Sequence, residues 1–442
     1  MKKIFHSLAV ASLLLTVPLA SCDKKLDINP KDSIDAANAL NTSADVEAAL
    51  VGAYDGLSDN DLYVGNIPFI SELLADNGEI DFVGTYVQPR QFFQKSVLVN
   101  NSFVAGVWNN AYNTINIANN VLANLDKVTA SRKDRVEGEA KFLRAAMHFE
   151  LVRLFGKDWN DGSPQSNLGV PLVLTPTKQL DASVQVPRNT VAEVYAQVIK
   201  DFQDAEAKIP ASNGFFATKA SAAGMLARVY LQQSRFADAA AAANRVIASG
   251  RYSLVSSYAD EFTTTTNTSE DVFAMQVTSQ DNTTDNLNSY FSGSQRGDIE
   301  VLQPHLDLYG PTDERGEFFD APYSLKFDQQ YGNVKVMRLA EMYLVRAEGN
   351  FRAGGTPVGA TPLADVNTVR ARAGATLLTA VTLPQILLER RRELAFEGFR
   401  LHDVKRNKEN VGTLPYNSPQ LVLPIPQREL DVNPNLKQNP GY

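Results

Sequence analysis

Apolar residues recur at helical spacing in three separated stretches of the chain, and polar sequence rich in turn formers fills the gaps. Trp108, Tyr112, Ile115, Leu122 and Leu125 fall on one helical face, and Val136, Ala140, Leu143, Met147, Leu151 and Leu154 on a second. The short connection between them predicts an antiparallel pair, ended by a C-cap glycine at Gly156. In the next stretch Thr190 and Glu193 form a capping box ahead of Val191, Val194, Val198, Phe202, Ala205 and Ile209. Leu226, Ala227, Tyr230, Ala239, Ala243 and Val246 follow with the small/large spacing of a tetratricopeptide unit. The third stretch places Val336, Leu339, Tyr343, Ala347 and Phe351 on one face and stops at Gly354-Gly355. Near the N-terminus, Thr42 is positioned to start a helix with Val46, Ala49, Leu50 and Tyr54 on one side.

The gaps have their own character. Residues 75–103 mix Asp76-Asn77-Gly78 with Tyr86, Phe92 and Phe93 and predict a loop without a clear helix. Residues 251–333 are too long for a connection inside a repeat, which marks them as functional or mobile, and a strand is expected near 271–278. The predicted architecture is an all-α dominated, tetratricopeptide-like repeat scaffold. Its helical blocks cover about 104–156, 188–250 and 334–407, and its loop-rich insertions, with a few short strands, cover about 75–103 and 251–333.

One segment departs from simple amphipathicity. Residues 389–406, ERRRELAFEGFRLHDVKR, carry Glu389, Glu393 and Glu397 at four-residue spacing and a crowd of arginines, yet Leu394, Phe396, Phe399 and Val404 surround the same axis. This predicts one buried helix of five turns whose charges are paired inside the protein, since an unpaired buried charge is very costly. Arg338, Glu341 and Arg346 place further charges in the apolar helix of 334–355. The expected network therefore comprises Arg338, Glu341, Arg346, Arg390, Glu393, Glu397 and Arg400, with Glu393 and Glu397 meeting Arg390, Arg400, Arg338 or Arg346. A catalytic acid/base pair at Glu393 and Glu397 is the competing reading; the structural one is favoured.

Composition narrows the function. Of 442 residues, 44% are hydrophobic and 21% charged, ample for a core. A net charge of −8 leaves no basic excess for nucleic acid. The chain has no Gly-x-Ser-x-Gly, His-Glu-x-x-His or Gly-Lys-Ser/Thr loop. His148, His305 and His402 have no ligand spacing, and no metal or cofactor is called for. Asp76, Glu79 and Asp81 read as a solvated acidic loop, with a calcium loop as the alternative.

Lys2 and Lys3 precede an apolar run over 4–20, a signal segment too short and too interrupted to span a membrane. The single cysteine of the chain follows at Cys22, in Leu-Ala-Ser-Cys. This resembles a bacterial lipobox; an ordinary signal peptide beside a stray cysteine is the alternative. Lipidation at Cys22 would leave residues 22–45 as a polar tether, and loss of residues 1–21 takes the charge from −8 to −10.

Several motifs together resemble the SusD/RagB family of nutrient-binding outer-membrane lipoproteins. They are the Cys22 lipobox, Trp108-x3-Tyr112 with Asn119-Asn120, KFLRAAMHFELVRLFG at 141–156, RLAEMYLVRAE at 338–348, the 389–406 segment, and LPIPQRELDVNPNLKQNPGY at 423–442. Leu401 and Asn407 stand where many relatives carry aromatics. The resemblance implies one SusD-like domain over 46–442, no catalysis, and a SusC-like TonB-dependent transporter as partner. It also implies an oligosaccharide ligand, or a peptide in the RagB manner, with a glycoside hydrolase as a remoter reading. A sugar site needs flat apolar faces and polar side chains. The loop aromatics Tyr86, Trp159, Tyr290, Phe291 and Tyr331 are the candidates, with Asn100, Asn101 and Arg296 as polar partners.

Overall fold

The computed structural model describes residues 40–178, 182–280 and 286–442. The signal segment, Cys22 and most of the tether lie outside these residues. Helices come in chain order as α1 (Ser43–Leu57), α2 (Asn66–Ala75), α3 (Val87–Phe93), α4 (Ser102–Ala123), α5 (Ala130–Phe155), α6 (Val191–Lys208), α7 (Lys219–Gln232) and α8 (Phe236–Ile247). Short helices α9 (Asn286–Phe291), α10 (Gln303–Leu306) and α11 (Glu314–Glu317) follow. The chain then forms α12 (Leu339–Ala353), α13 (Pro362–Arg372), α14 (Leu383–Glu393), α15 (Arg400–Asn407) and α16 (Gln427–Val432). Among the described residues none of these is long and apolar enough to cross a membrane.

The helical blocks stack in one series. α1 packs on α4, α4 on α5, α5 on α6, α6 on α7, α7 on α8, and α8 on α12, which in turn meets α13 and α14. Several helices start where their capping chemistry directs. Thr42 and Asp45 form a capping box at α1, and Thr190 and Glu193 form the predicted one at α6. Gly354, at φ 68°, follows the end of α12. α7 is buried on all sides, because Ala220, Ala222, Ala223 and Ala227 let its neighbours close in while Leu226 and Tyr230 fill the remaining space. Trp108 is a core residue, edge-on to Phe155 at 5.0 Å. Gly156 does follow α5, but with φ −109° and ψ 165°: the chain leaves in extended form rather than through a left-handed cap.

Among the described residues six short strands form three antiparallel pairs. β1 (Ile80–Phe82) pairs with β3 (Ile299–Val301), β2 (Asp271–Met275) with β6 (Val334–Arg338), and β4 (Phe319–Asp320) with β5 (Tyr323–Ser324). β2 lies inside the expected 271–278 stretch. β6 runs directly into α12, so the β2–β6 pair closes off the part of the long insertion that lies between the two strands. Residues 75–103 are more ordered than their turn-rich sequence predicts: β1 and α3 both lie within them.

The expected five-turn helix over 389–406 is instead two helices. α14 ends at Glu393, and α15 begins at Arg400. Between them Phe396 (φ 67°) and Gly398 (φ 82°) adopt left-handed conformations that no helix continues through. A Cβ on Gly398 would lie 2.6 Å from the Pro68 Cα, so α2 presses against bare backbone there. Glu72 of α2 accepts the Gly398 N–H at 2.8 Å, and Ser71 Oγ accepts the Leu401 N–H at 3.3 Å. α2 thus supplies the caps for a helix start that has none of its own.

Candidate functional site

Two chemically dense regions invite a functional reading, and their geometry separates them. The first surrounds the break between α14 and α15. Glu393 is 0% exposed and accepts from Arg315 at 3.1 Å, from Arg338 at 2.9 Å and from Arg372. Glu397 accepts from Arg338 at 2.8 Å and from Lys326 at 2.6 Å. Glu270 closes the ring by taking Arg338 and Arg372, while Arg315 also grips Asp313 and Glu389. Lys326 Nζ additionally donates to the carbonyls of Glu393 and Ala395, at 3.0 and 2.9 Å, in the turn between the helices. Burial alone would raise the Glu393 and Glu397 carboxyls. The cations Arg372, Arg338 and Arg315 around Glu393, and Arg338 and Lys326 around Glu397, overcome it and hold both below the ordinary range. Held ionised and paired with buried cations, neither carboxyl is set up as a general acid near neutral pH.

Membership of this lattice differs from the expectation in part. Arg338 is its centre, meeting both Glu393 and Glu397. Arg346 belongs elsewhere, bidentate on Asp365 at 2.9 and 2.6 Å, and Arg400 pairs with Glu409 at 3.2 Å. Arg390 binds Asp403 at 2.9 Å and Glu341 binds Arg228 at 2.6 Å, a second buried pair beside the first. The helix break causes this: beyond Leu394 the chain turns, so Arg400 no longer shares a face with Glu393. Arg315, Arg372, Glu270 and Lys326 were not foreseen, because they come from the long insertion and from α13.

The second region is at the surface, where the two insertions meet. β1 and β3 pair Ile80 with Val301, Asp81 with Glu300 and Phe82 with Ile299, and the Val83 N–H continues the ladder to the Asp298 carbonyl at 2.9 Å. Gly84 then passes the Asp298 side chain so closely that a Cβ would lie 2.5 Å from its carboxyl carbon. Only glycine permits this approach, and it brings the N-cap residue of α3, Tyr86, opposite Arg296. The Arg296 guanidinium lies 4.0 Å from the Tyr86 ring centroid and is held by Asp298 at 3.0 and 2.8 Å. Arg90 secures the same loop by donating to the Gly84 carbonyl and lying over the Phe82 ring at 5.4 Å. Beneath, the Tyr323 ring covers Gly293 and Gly297 in the turn that presents Arg296. Tyr86 is 48% exposed and Val83 and Val87 flank it in the open. The result is an exposed aromatic platform with a braced guanidinium and a carboxylate at its edge.

The remaining candidates divide as follows. Tyr290 and Phe291 are 4% and 0% exposed and therefore do not present a face to a ligand: Tyr290 stacks on Phe69 at 4.4 Å, and Phe291 packs on Phe327 and Phe396. α9 turns them inward as core supports of the platform. Asn101 is also committed, capping α4 through the Phe103 and Val104 N–H groups and tying α4 to α3 through the Gln88 carbonyl and Gln91. Asn100 is exposed next to it. Trp159 is half-buried against Tyr195 at 5.1 Å, and exposed Tyr331 stands in the loop before β6; neither joins the Tyr86 platform through a contact. Gly84, Asp298 and Tyr323 were not singled out in the sequence. In the acidic loop, Asp76 accepts the N–H groups of Gly78, Glu79 and Ile80, and Glu79 is held by His305 and Arg391, so these carboxylates are already engaged. Burial, with Lys326 and Arg400 nearby, pushes His305 down to about 3.

Two cavities open elsewhere. One of about 60 Å³ is lined by Tyr63, Phe262, Lys326, Glu397 and Phe399 among others, and one of about 50 Å³ by Glu72, His305, Arg390, Arg391 and Phe396 among others. Both lie against the ion-pair lattice, whose groups are largely spent on one another, whereas the platform offers ring surface and charge that face solvent.

Comparison with known proteins agrees along the whole chain. A profile described as "SusD family" matches residues 195–418, and one described as "Starch-binding associating with outer membrane" matches residues 25–231. A relative named SusD-like protein P2, from Formosa agariphila, is 26% identical over 98% of this chain and 99% of its own. The starch-binding protein SusD of Bacteroides thetaiotaomicron is 33% identical over a shorter stretch, 25% of this chain and 22% of its own. The crystal structure of a SusD superfamily protein from Bacteroides thetaiotaomicron superposes with a TM-score of 0.81 at 24% identity, covering 90% of this chain and all of that one. That likeness bears on the fold.

Proposed function

Because the chain belongs to the SusD family, we propose that it is a glycan-binding lipoprotein of the outer membrane whose ligand seats on the Tyr86–Arg296 platform. It takes oligosaccharide at the cell surface and delivers it to a SusC-like TonB-dependent transporter. It is held to the membrane by acyl chains on Cys22. The observation that carries this reading is the junction of the two insertions. A half-exposed aromatic ring stands beside a guanidinium that a buried carboxylate keeps extended. An aromatic face packs on the C–H groups of a pyranose ring, and Arg296 and the loop carbonyls bond its hydroxyls. The names of the relatives, among them a starch-binding protein, point to the same ligand class.

No covalent step belongs to this function. The ligand acts by binding, and any closing motion over the transporter is a shift between states that bind it unequally. A panel of oligosaccharides and of peptides, presented to the purified protein, tests the reading. Glycan binding that falls about five- to thirty-fold in Tyr86→Ala is expected, since one aromatic contact contributes about 1–2 kcal/mol. Binding of peptides and of no glycan would replace it with the peptide-uptake reading. Glycan cleavage that persists in pure protein would make it a hydrolase.

A further inference from the structure

One end of the helical series gathers the starts of α1, α5 and α7 and the ends of α6 and α8. α1 starts beside α5, where the Thr129 N–H donates to Ser43 Oγ at 3.2 Å and Arg132 meets Glu47 at 3.0 Å. The end of α6 returns to the same place, with Lys208 on Asp134 at 2.8 Å. The start of α7 is tied to the loop after α6 by the Lys219 N–H, which donates to the Pro210 carbonyl at 3.1 Å. The end of α8 arrives beside α6, where Arg245 donates to both Glu206 oxygens, at 2.6 and 2.9 Å. Thr42, the cap of α1, is therefore where the polar segment from Cys22 joins this end. At most about 70 Å of extended chain separates the two. A lipid on Cys22 holds this end of the molecule nearest the bilayer on average.

The loop from α6 to α7 places an aromatic ring in the open there. Gly214, at φ 62°, turns the chain; the Phe216 N–H donates to the Asn213 carbonyl at 3.2 Å, and Asn213 Nδ2 to the Ala217 carbonyl at 2.9 Å. Phe216 packs on Tyr54 of α1 at 4.8 Å, and the Tyr54 hydroxyl accepts the Ala217 N–H at 3.0 Å. The braced turn leaves Phe215 65% exposed, more than any other large apolar side chain among the described residues. Val51, one turn before Tyr54 on α1, is exposed as well. Ala211 of the same loop borders a groove of about 180 Å³ whose charged lining is Lys219, Arg245, Arg251 and Glu206. One water needs about 10–15 Å³, so a larger group fits. Three cations thus face one acid, and Arg245 already holds that acid. Glu47, Asp134, Glu137 and Asp204 at this end are likewise each bound to a lysine or arginine. Among the described residues Lys219 and Arg251 pair with no acid. In a chain of net charge −8 they leave a local surplus of positive charge.

We propose that this end of the molecule lies on the membrane surface, with Phe215 in the headgroup boundary and the phosphate of an anionic lipid in the groove between Lys219, Arg245 and Arg251. The inference rests on the lipidation of Cys22 and adds to it: the acyl chains attach the protein, and this face sets which way it stands. An aromatic ring is at home where headgroups meet acyl chains. Cations beside it are drawn by the negative surface potential, which decays within about 10 Å at moderate salt. Lys219 and Arg251 have no acid to give up, so taking a phosphate breaks no ion pair of theirs. Without the anchor the association is weak and reverses on dilution.

Cosedimentation with vesicles tests this, using the chain purified as Cys22→Ala, without acyl groups, at millimolar lipid. It should bind vesicles of equal parts phosphatidylglycerol and phosphatidylcholine, and vesicles of phosphatidylcholine alone at least about fivefold more weakly. Each cation near an anionic surface is worth about fivefold, so Lys219→Ala with Arg251→Ala should weaken binding to the anionic vesicles about thirtyfold. Phe215→Ser should weaken it about tenfold. Phe351→Ser serves as control and should bind as the parent does. Its ring is also exposed, but it lies near the end of α12, where Arg352 covers Phe236 at the start of α8, the other end of the series. All four side chains are at the surface, so the variants should fold. No binding to anionic vesicles overturns the proposal. So does binding that is unchanged in the Lys219, Arg251 and Phe215 variants, or lost equally in Phe351→Ser. Binding to a sulfated polysaccharide and not to vesicles would make the groove a glycan site and overturn it too. The assay contains no anchor, so its failure leaves the lipidation of Cys22 to be judged by cell fractionation.

Discussion

Replacing Glu393 by glutamine keeps the shape of its side chain and removes one negative charge from the interior. Glu393 is fully buried and holds three guanidinium groups, those of Arg315, Arg338 and Arg372. Breaking a buried ion pair by removing one partner costs about 3–5 kcal/mol, because the other charge stays buried. Here each arginine retains another acid: Arg315 keeps Asp313 and Glu389, Arg338 keeps Glu270 and Glu397, and Arg372 keeps Glu270. The lower end, about 3 kcal/mol, is the expected loss. Its pH dependence follows from the lowered pKa. The contribution is present above the ordinary glutamate value of 4.5 and is lost as pH falls through the lower folded value. The gap between wild type and Glu393→Gln should therefore be full at neutral pH and shrink only below pH ~4. Urea unfolding followed by circular dichroism at several pH values measures it. Asp238→Asn, at an exposed pair with Arg235, serves as control and should leave the midpoint unchanged. A Glu393→Gln chain as stable as wild type at neutral pH would refute the view that this lattice holds the last helices together.

Other substitutions probe separate links of the account. Gly398→Ala forces a side chain into a left-handed residue 2.6 Å from the Pro68 Cα and should destabilise by about 2 kcal/mol or more in the same unfolding assay. Thr190→Ala removes one side of the α6 capping box and should cost about 1 kcal/mol by urea unfolding. Burial pushes Glu72 up to about 7 against the N–H groups of Gly398 and Arg400, so its protonation stabilises the fold at low pH. That part of the stability is lost as pH rises from 4.5 through about 7, and Glu72→Gln should flatten the melting-temperature profile across this window. Cys22→Ala should move the protein from the membrane fraction to the soluble fraction on cell fractionation.

Local chemistry was the part of the fold most readable in the sequence. The Thr190–Glu193 box, the Gly354 stop and the faces of α4 to α8 depend on residues within a turn or two of one another. That Glu393 and Glu397 meet buried cations followed from the cost of burying charge, but of the four arginines this offered only Arg338 reaches them. What escaped depends on contacts between distant segments. The break at Gly398 is set by Pro68 and Glu72, 326 residues away in the case of Glu72, and nothing near 398 beyond the glycine itself signals it. Burial sorted the loop aromatics in the same way. Tyr86 and Tyr290 look alike in sequence, but α9 packs Tyr290 onto Phe69 while the N-terminus of α3 leaves Tyr86 in solvent. Asp298 and Gly84 acquire a role only because β1 and β3 pair across more than two hundred residues.

The most direct test of the platform is a calorimetric titration with an oligosaccharide that binds the wild-type chain, repeated on Tyr86→Ala, Arg296→Gln and Trp159→Ala. The account predicts about five- to thirty-fold weaker binding in the first two and unchanged binding in the third, with all three chains folded. Undiminished binding in Tyr86→Ala and Arg296→Gln, or loss confined to Trp159→Ala, would contradict it and place the glycan elsewhere.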